Sequence, residues 1–375
     1  MKVCALILCL LLLIAGCAVQ VDVPDAPDAP EELPIDTNGD GSGVSAPQGG
    51  GDGSGASAEQ GDGGNAGGNM EVAVFGIGRS DAILIKTENH AVMIDTGERQ
   101  HGLQIADYIL GHGISRIDYL IITHFDSDHV GGAYVIINSV DVGAVIVPNY
   151  RRETNHVARF EAAMRDAALV ATILTETMRF TLDDVDFTVD PSRLDGAGIA
   201  WHDREGAGHS PNDPDGEDDE DQDWGEDGEA GREPAHGGTM PPTGDDMSIV
   251  VRVTHGGNNL LFTGDAVAGR LQELLENDVI MGIAYDFLKV PRHGRYSERS
   301  AEFINAISPR YAVITGFHPD NITDYYPERP TDQRVIAALE SAGAEVFYAM
   351  STGVSLKSDG ISLMVQYNDF FAPFA

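Results

Sequence analysis

Apolar runs separated by polar turns pattern the chain from Met70 onward. "EVAVF" (71–75) and "DAILIKT" (81–87) read as strands on either side of a turn at Gly76 and Gly78, and "HAVMIDTG" (90–97) as a third strand ending in Asp95-Thr96-Gly97. "LQIADYILGHGI" (103–114) places apolar residues at helical spacing, with Gly111 and Gly113 near its end. The Ile-rich "IDYLIIT" (117–123) reads as a buried strand, "VGAVIVPN" (142–149) as another, "ETNHVARFEAAMRDAAL" (153–169) as a helix and "FTLDDVDFTV" (180–189) as strand. Further on, "DMSIVVRVTHGGNNLLFTGDA" (246–266) predicts two strands around an "HGGNN" turn, followed by a strand in "YDFLKVPRHGRYS" (285–297), a helix in "SAEFINAIS" (300–308) and late strands in "RYAVITGF" (310–317) and "AEVFYAM" (344–350). Strands alternating with helices in this way predict a strand-rich α/β fold.

Two stretches break the pattern. Residues 18–69 are Gly, Asp, Ala, Pro and Ser with few large apolar groups, cannot bury a core, and are expected to form a disordered stalk. A flexible coil of that length spans on the order of 40 Å, and more where like charges repel. The acidic, Gly-rich block within 196–245 is expected to be a disordered surface insertion in a domain that otherwise runs over 70–375. Ahead of the stalk, "MKVCALILCLLLLIAGC" has one Lys, an apolar run too short for a comfortable membrane span, and small residues before Cys17; residues 1–17 read as an export signal.

Charge and cysteine content narrow the chemistry. The formal net charge of -37 repels a free polyanion at long range, although a local basic groove can oppose it. All three cysteines, Cys4, Cys9 and Cys17, precede the stalk. The folded part therefore has no disulfide and no thiolate ligand, so any metal falls to His, Asp or Glu.

Those residues concentrate in "THFDSDHVGG" (123–132), just past the carboxyl end of a buried strand, where α/β folds build their sites. In an extended loop, residues two apart point the same way, so His124, Asp126 and Asp128 can converge, with His129 joining from the turn. Asp265 in "TGD" and His293 in "PRHG" also sit at strand ends. A solvated loop with stray histidines explains the first cluster alone, but not polar groups at three separate strand ends.

Taken in order, "GRSDAILI", "MIDTG", "THFDSDHVGG", "MSIVVRV…LLFTGD", "LKVPRHG" and "YAVITGF…STGVSLKSDG" resemble the metallo-β-lactamase superfamily, and within it the soluble hydrolase domain of ComEC-type competence proteins. The resemblance covers about 70–375 apart from the acidic insertion and implies a four-layered αββα sandwich with metals at one edge of two sheets. It implies His124 and Asp126 as ligands of a first metal, Asp128, His129 and His293 of a second, and Asp265 bridging both. His124, Asp128 and Asp265 are the implied catalytic set. Asp81 and Asp95 are implied to orient the ligands from behind. "IAGC" resembles a bacterial lipobox, which implies lipid on Cys17, a membrane tether and an extracytoplasmic location.

The chain departs from the family pattern in three places. Asp126 stands where the superfamily usually has His, as is common in ComEC-type members. The third-motif histidine expected shortly before Ser248 is absent, leaving Asp245 or Asp246 as replacements. Arg292 replaces a histidine of the usual "PHHG", and with Arg295 is a candidate for holding an anionic substrate group. Two divalent cations so held would share a hydroxide able to attack phosphorus or carbonyl carbon. Zinc is the first choice of ion and manganese the second, because oxygen-rich sites suit harder ions. A small or polymeric phosphodiester is the favoured substrate. A lactam, lactone or other carboxylic derivative is the alternative, as is a non-catalytic metal-binding sensor. No protein partner is expected.

Overall fold

The computed structural model describes residues 68–194, 242–278, 280–319 and 331–371. The expected export signal with Cys17, nearly all of the stalk and most of the acidic insertion lie outside the described residues, which all belong to one compact unit, Gly63–Ala375.

Two sheets form the centre. The first contains β1 (Met70–Val74), β2 (Ala82–Lys86), β3 (Ala91–Thr96), β4 (Arg116–Ile121), β5 (Asp141–Pro148) and β6 (Ala171–Leu174), and the chain returns late to its other edge with β14 (Gly353–Ser358) and β15 (Leu363–Asn368). Its order is β15-β14-β1-β2-β3-β4-β5-β6, antiparallel up to β3 and parallel from β3 to β6. The second contains β7 (Met178–Leu182), β8 (Val185–Asp190), β9 (Val250–His255), β10 (Asn258–Phe262), β11 (Phe287–Lys289), β12 (Tyr311–Ile314) and β13 (Glu345–Tyr348), in the order β13-β12-β11-β10-β9-β8-β7. It too passes from antiparallel to parallel, at β10.

Side-chain alternation sorts each strand between two cores. Val72, Val74, Ile83, Ile85, Ile94 and Ile121 meet Phe187, Val251, Val253, Leu260, Phe262 and Phe287 between the sheets. The opposite faces of the same strands present Ala73, Leu84, Met93, Leu120 and Val145 to α1 (Gly102–Gly111), α3 (Ala133–Ser139) and α4 (Asn155–Asp166). On the far side, Leu261, Leu288, Ala312 and Ile314 pack against α5 (Ala268–Leu275), α6 (Ser300–Ile307) and α7 (Gln333–Ser341). Strands apolar on both faces are what sheets covered on both sides require. The result is the αββα sandwich implied by the motif order.

One element differs from the sequence reading. "FTLDDVDFTV" is not a single strand but the turn and arms of the β7–β8 hairpin. The turn is the polar pair Asp183-Asp184, across which the apolar positions shift from Phe180 and Leu182 to Val185, Phe187 and Val189; Asp183 takes a left-handed φ of 52° and its carboxylate accepts from Thr87 Oγ1 at 2.6 Å. Aspartate tolerates that backbone, so no glycine marks the reversal.

Candidate metal centre

Five strands end at one edge of the sandwich and bring the polar residues together. Beyond β4, Thr123 and His124 continue extended, and Asp126 occupies the N-cap of the single-turn helix α2 (Ser127–Val130). The backbone coils at Ser127, so the expected convergence of three alternating residues reaches only two. His124 Nε2 lies 4.0 Å from Asp126 Oδ2, whereas Asp128 turns to the other side, 3.9 Å from His129 Nε2 and 3.2 Å from His293 Nε2.

The second sheet supplies Asp265 just after β10 and His293 just after β11. Gly264 adopts φ +51°, and a Cβ there would sit 2.9 Å from Thr123 Oγ1, so only glycine lets the two loops approach. Arg292, His293 and Gly294 are three consecutive left-handed residues (φ 52°, 50° and 80°). Two of them are not glycine, a strained arrangement held by Arg292 N donating to Gly264 O and Asp332 N to Gly294 O. That turn aims His293 Nε2 to within 3.2 Å of Asp265 Oδ2 and 3.3 Å of His129 Nε2.

The hydrogen-bond network settles which nitrogen of each histidine faces the centre. A carboxylate only accepts, so the bond from His129 Nδ1 to Asp95 Oδ2 at 2.8 Å puts the proton on Nδ1. Thr315 spends its hydroxyl hydrogen on Asp81 Oδ1 (2.6 Å), so it accepts from His293 Nδ1 at 3.0 Å. Thr123 likewise donates to Asp95 Oδ2 (2.7 Å) and accepts from His124 Nδ1 at 3.1 Å. In the neutral rings, all three Nε2 lone pairs therefore point inward. Asp95 accepts directly from His129, and Asp81 reaches His293 through Thr315, with Thr123 and Thr315 as partners that sequence reading did not pick out.

This arrangement fits a divalent cation. The Nε2 lone pairs of His129 and His293 and the carboxylates of Asp128 and Asp265 face each other at 3.2–3.9 Å, close to the spacing of atoms that each lie about 2.0–2.2 Å from a shared ion, and donor atoms of His124, His129 and Asp265 lie within 4.8 Å of one another. His124 Nε2 and Asp265 Oδ1 are buried without any hydrogen-bond partner, a costly state that an ion relieves. Without an ion, protons take its place. Burial alone would lower the His129 imidazole, but Asp265, Asp95 and Asp128 outweigh it and raise its pKa well above the usual value. Asp265 and Asp81 do the same for His293. His124 goes the other way, pushed down to about 4 by burial and the neighbouring His129. Ion binding must displace the protons on His129 and His293. Apparent affinity is therefore expected to rise with pH, by roughly tenfold per pH unit for each proton displaced, until their raised pKa values are passed. Chelator competition on either side of neutrality measures this.

Lys289, fully buried at the end of β11, is a component the sequence reading missed. Its Nζ donates to Gly264 O at 2.9 Å, pairs closely with Asp81 and lies 3.6 Å from Asp265 Oδ1. Burial raises the carboxyl pKa of both Asp81 and Asp265; Lys289 and the histidines reverse that and hold both low. The signal that was available is a lysine at a core position of an otherwise apolar strand.

The candidates near the rim separate. Asp245 Oδ1 lies 3.9 Å from His124 Nε2, whereas the Asp246 carboxylate accepts from Thr243 N, Thr243 Oγ1 and Gly269 N and is fully occupied. Arg292 Nε pairs with Asp245 Oδ2 at 3.1 Å, which fixes one edge of its guanidinium beside the centre. Arg295 is half-buried directly after the His293 turn. Replacing Asp95 by asparagine is expected to weaken ion binding about 10–100-fold by releasing the His129 tautomer. Titration with a competing chelator, together with an unchanged thermal midpoint, checks it.

The sequence pattern of the metallo-beta-lactamase superfamily matches residues 75–318. ComE operon protein 3 of Bacillus subtilis is 24% identical over 264 residues, covering 65% of this chain and 28% of that protein. Competence protein ComA of Neisseria gonorrhoeae is 24% identical over 249 residues, covering 65% of this chain and 26% of that protein. The chain thus spans only a minor part of these relatives' length. Among solved structures, the metallo-beta-lactamase fold protein YhfI from Bacillus subtilis aligns at 11% identity with a TM-score of 0.46, over 77% of this chain and 100% of that one. The family match reaches from the end of β1, through both sheets and the loops that carry His124, Asp265 and His293, to beyond β12: this chain belongs to the metallo-beta-lactamase superfamily.

Proposed function

We propose that this protein is a metal-dependent hydrolase acting on phosphodiesters. The observation that carries the reading is the inward convergence of the His129 and His293 Nε2 lone pairs, each fixed by its Nδ1 partner, on the carboxylates of Asp128 and Asp265, with His124 grouped beside His129 and Asp265. His124 and Asp126 would hold a first ion and Asp128, His129 and His293 a second, with Asp265 available to both. When bound, such ions supply an activated water at neutral pH and positive charge for the oxygen that develops charge on the substrate. Asp128 orients the water against the reacting centre. Lys289 keeps Asp265 ionised, and Asp81 and Asp95 hold the rings in place.

The likeness to competence proteins favours a phosphodiester over a carboxylic derivative, and Arg79, Arg292 and Arg295 offer local positive charge in a chain of net charge -37. The full chain, stripped of metal and reloaded with zinc or manganese, is to be tested on bis-p-nitrophenyl phosphate, DNA and a chromogenic lactam. Metal-dependent turnover of the first two supports the reading; turnover of the lactam alone transfers the activity to carboxylic derivatives. The sequence around Cys17 supports work at a membrane surface outside the cytoplasm, and release of a Cys17→Ser variant from membranes tests it. Among the described residues no helix is long and apolar enough to cross a membrane.

The acidic insertion bears on substrate size. The chain is last described at Leu194 and resumes at Pro242, three residues before Asp245, which supports an insertion that rejoins the fold close to the centre. Deleting residues 205–240 is expected to leave metal content and small-phosphodiester hydrolysis nearly unchanged. Cleavage of long DNA should rise, most clearly at low salt, because charge is screened over roughly 10 Å at 0.1 M. Loss of metal on deletion would show that the insertion itself supplies ligands.

A further inference from the structure

We propose that Asp245 is the third ligand of the first metal position, in place of the missing third-motif histidine, and that Arg152 and Arg292 are positioning residues that aim the two carboxylates of that position. This rests on the metal-binding part of the proposed function and not on its substrate.

Asp126 and Asp245 are held in the same way. Each presents one carboxylate oxygen to His124 and has its other oxygen gripped by an arginine. Asp126 Oδ2 is 4.0 Å from His124 Nε2 while Oδ1 pairs closely with Arg152. Asp245 Oδ1 is 3.9 Å from the same nitrogen while Oδ2 is 3.1 Å from Arg292 Nε. Donor atoms of His124, Asp126 and Asp245 all lie within 4.8 Å of one another. His124 is fully buried, and the Nε2 facing this pair of oxygens has no hydrogen-bond partner. With Nδ1 already donating to Thr123, that nitrogen presents a lone pair beside two carboxylate oxygens at 3.9–4.0 Å, a set of three acceptors that a cation would satisfy together.

The backbone explains why Asp245 and not Asp246 does this. The 3-10 turn Asp245–Met247 points successive side chains apart, so Asp246 goes inward to cap Thr243 and the start of α5. Asp245 is left on the face toward His124. The arginines also set the charge of the position. They offset the two carboxylates, so a divalent ion there keeps most of its charge toward a substrate anion. One nitrogen and two carboxylate oxygens make a harder donor set than the usual histidine-rich site, which selects manganese or magnesium over zinc at this position.

The test is manganese binding to the full chain without substrate, by titration and electron paramagnetic resonance. Wild type is expected to bind two ions with a coupled-pair signal. Asp245→Asn should keep the thermal midpoint, lose one ion and lose the coupled signal. Asp245→His should restore the second ion but prefer zinc. Arg292→Gln should weaken that ion by at least about tenfold, as loss of an orienting partner does. Two manganese ions at unchanged affinity in Asp245→Asn overturn the proposal while leaving metal-dependent hydrolysis intact. Failure of every phosphodiester in the substrate panel, with the binding pattern as expected, overturns the substrate reading and leaves this proposal standing. A wild type that binds no manganese and no zinc overturns both.

Discussion

Replacing Asp265 by asparagine is expected to lower hydrolysis at least ~10³-fold with the fold retained. Removing one preorganised charge from a buried reaction centre costs on that scale, and Asp265 is placed where several such charges meet. Its Oδ2 is 3.2 Å from His293 Nε2, its Oδ1 is 3.4 Å from His129 Nε2, and Lys289 stands 3.6 Å behind. Asparagine keeps the shape but offers one neutral oxygen, so it would serve as a ligand to fewer cations than the carboxylate would. The backbone N–H of residue 265 still donates to Ser248 Oγ, and Lys289 still has Asp81, so the local structure has its supports. The kcat/KM for bis-p-nitrophenyl phosphate and the metal content of the purified variant check this together. Full activity with two bound ions would remove Asp265 from the centre.

Lys289→Met is expected to cost about 3–5 kcal/mol of stability, the scale for removing one partner of a buried ion pair. Lys289 is fully buried and makes the closest ion pair of Asp81 among the described residues, and Asp81 is itself almost wholly buried. Burial by itself would lower the lysine pKa, but Asp81 and Asp265 raise it instead, and in return both carboxyl pKa values fall. Methionine fills the volume and takes away the closest cation of Asp81, leaving the Thr315 hydroxyl on Oδ1 and the His293 and His129 rings at 3.5 and 3.8 Å. Adding Asp81→Asn should recover much of the loss, because the pair rather than the site is then replaced. Denaturant unfolding of the single and double variants measures both effects. Equal stability of wild type and Lys289→Met would show that the pair is not buried in solution.

Most of the strands were legible because each is a short apolar run bounded by Gly, Asp or Asn. The hairpin at Asp183 was not, since its turn is a single polar pair with no glycine or proline to mark it. The site residues were visible as polar groups at strand ends, but their grouping was not. His124 and Asp126 stay together while Asp128 crosses to His129 and His293, because the chain coils into α2 at Ser127. No local pattern announces where an extended loop gives way to a single helical turn.

Lys289 and the choice between Asp245 and Asp246 show the same division. A lysine in "FLKV" is recognisable as unusual, but its partners, Asp81 and Asp265, lie far away in the chain. Two adjacent aspartates are equivalent in sequence and opposite in space. Local sequence determined the elements, the donor types and the absence of thiolates, because hydrophobic period and side-chain chemistry are properties of neighbours along the chain. Which donors share an ion, which arginine holds which oxygen and which histidine nitrogen faces inward were decided only when the carboxyl ends of β3 and β4 in one sheet met those of β10, β11 and β12 in the other. Those contacts are set by the packing of strands distant in sequence, and no spacing along the chain encodes them.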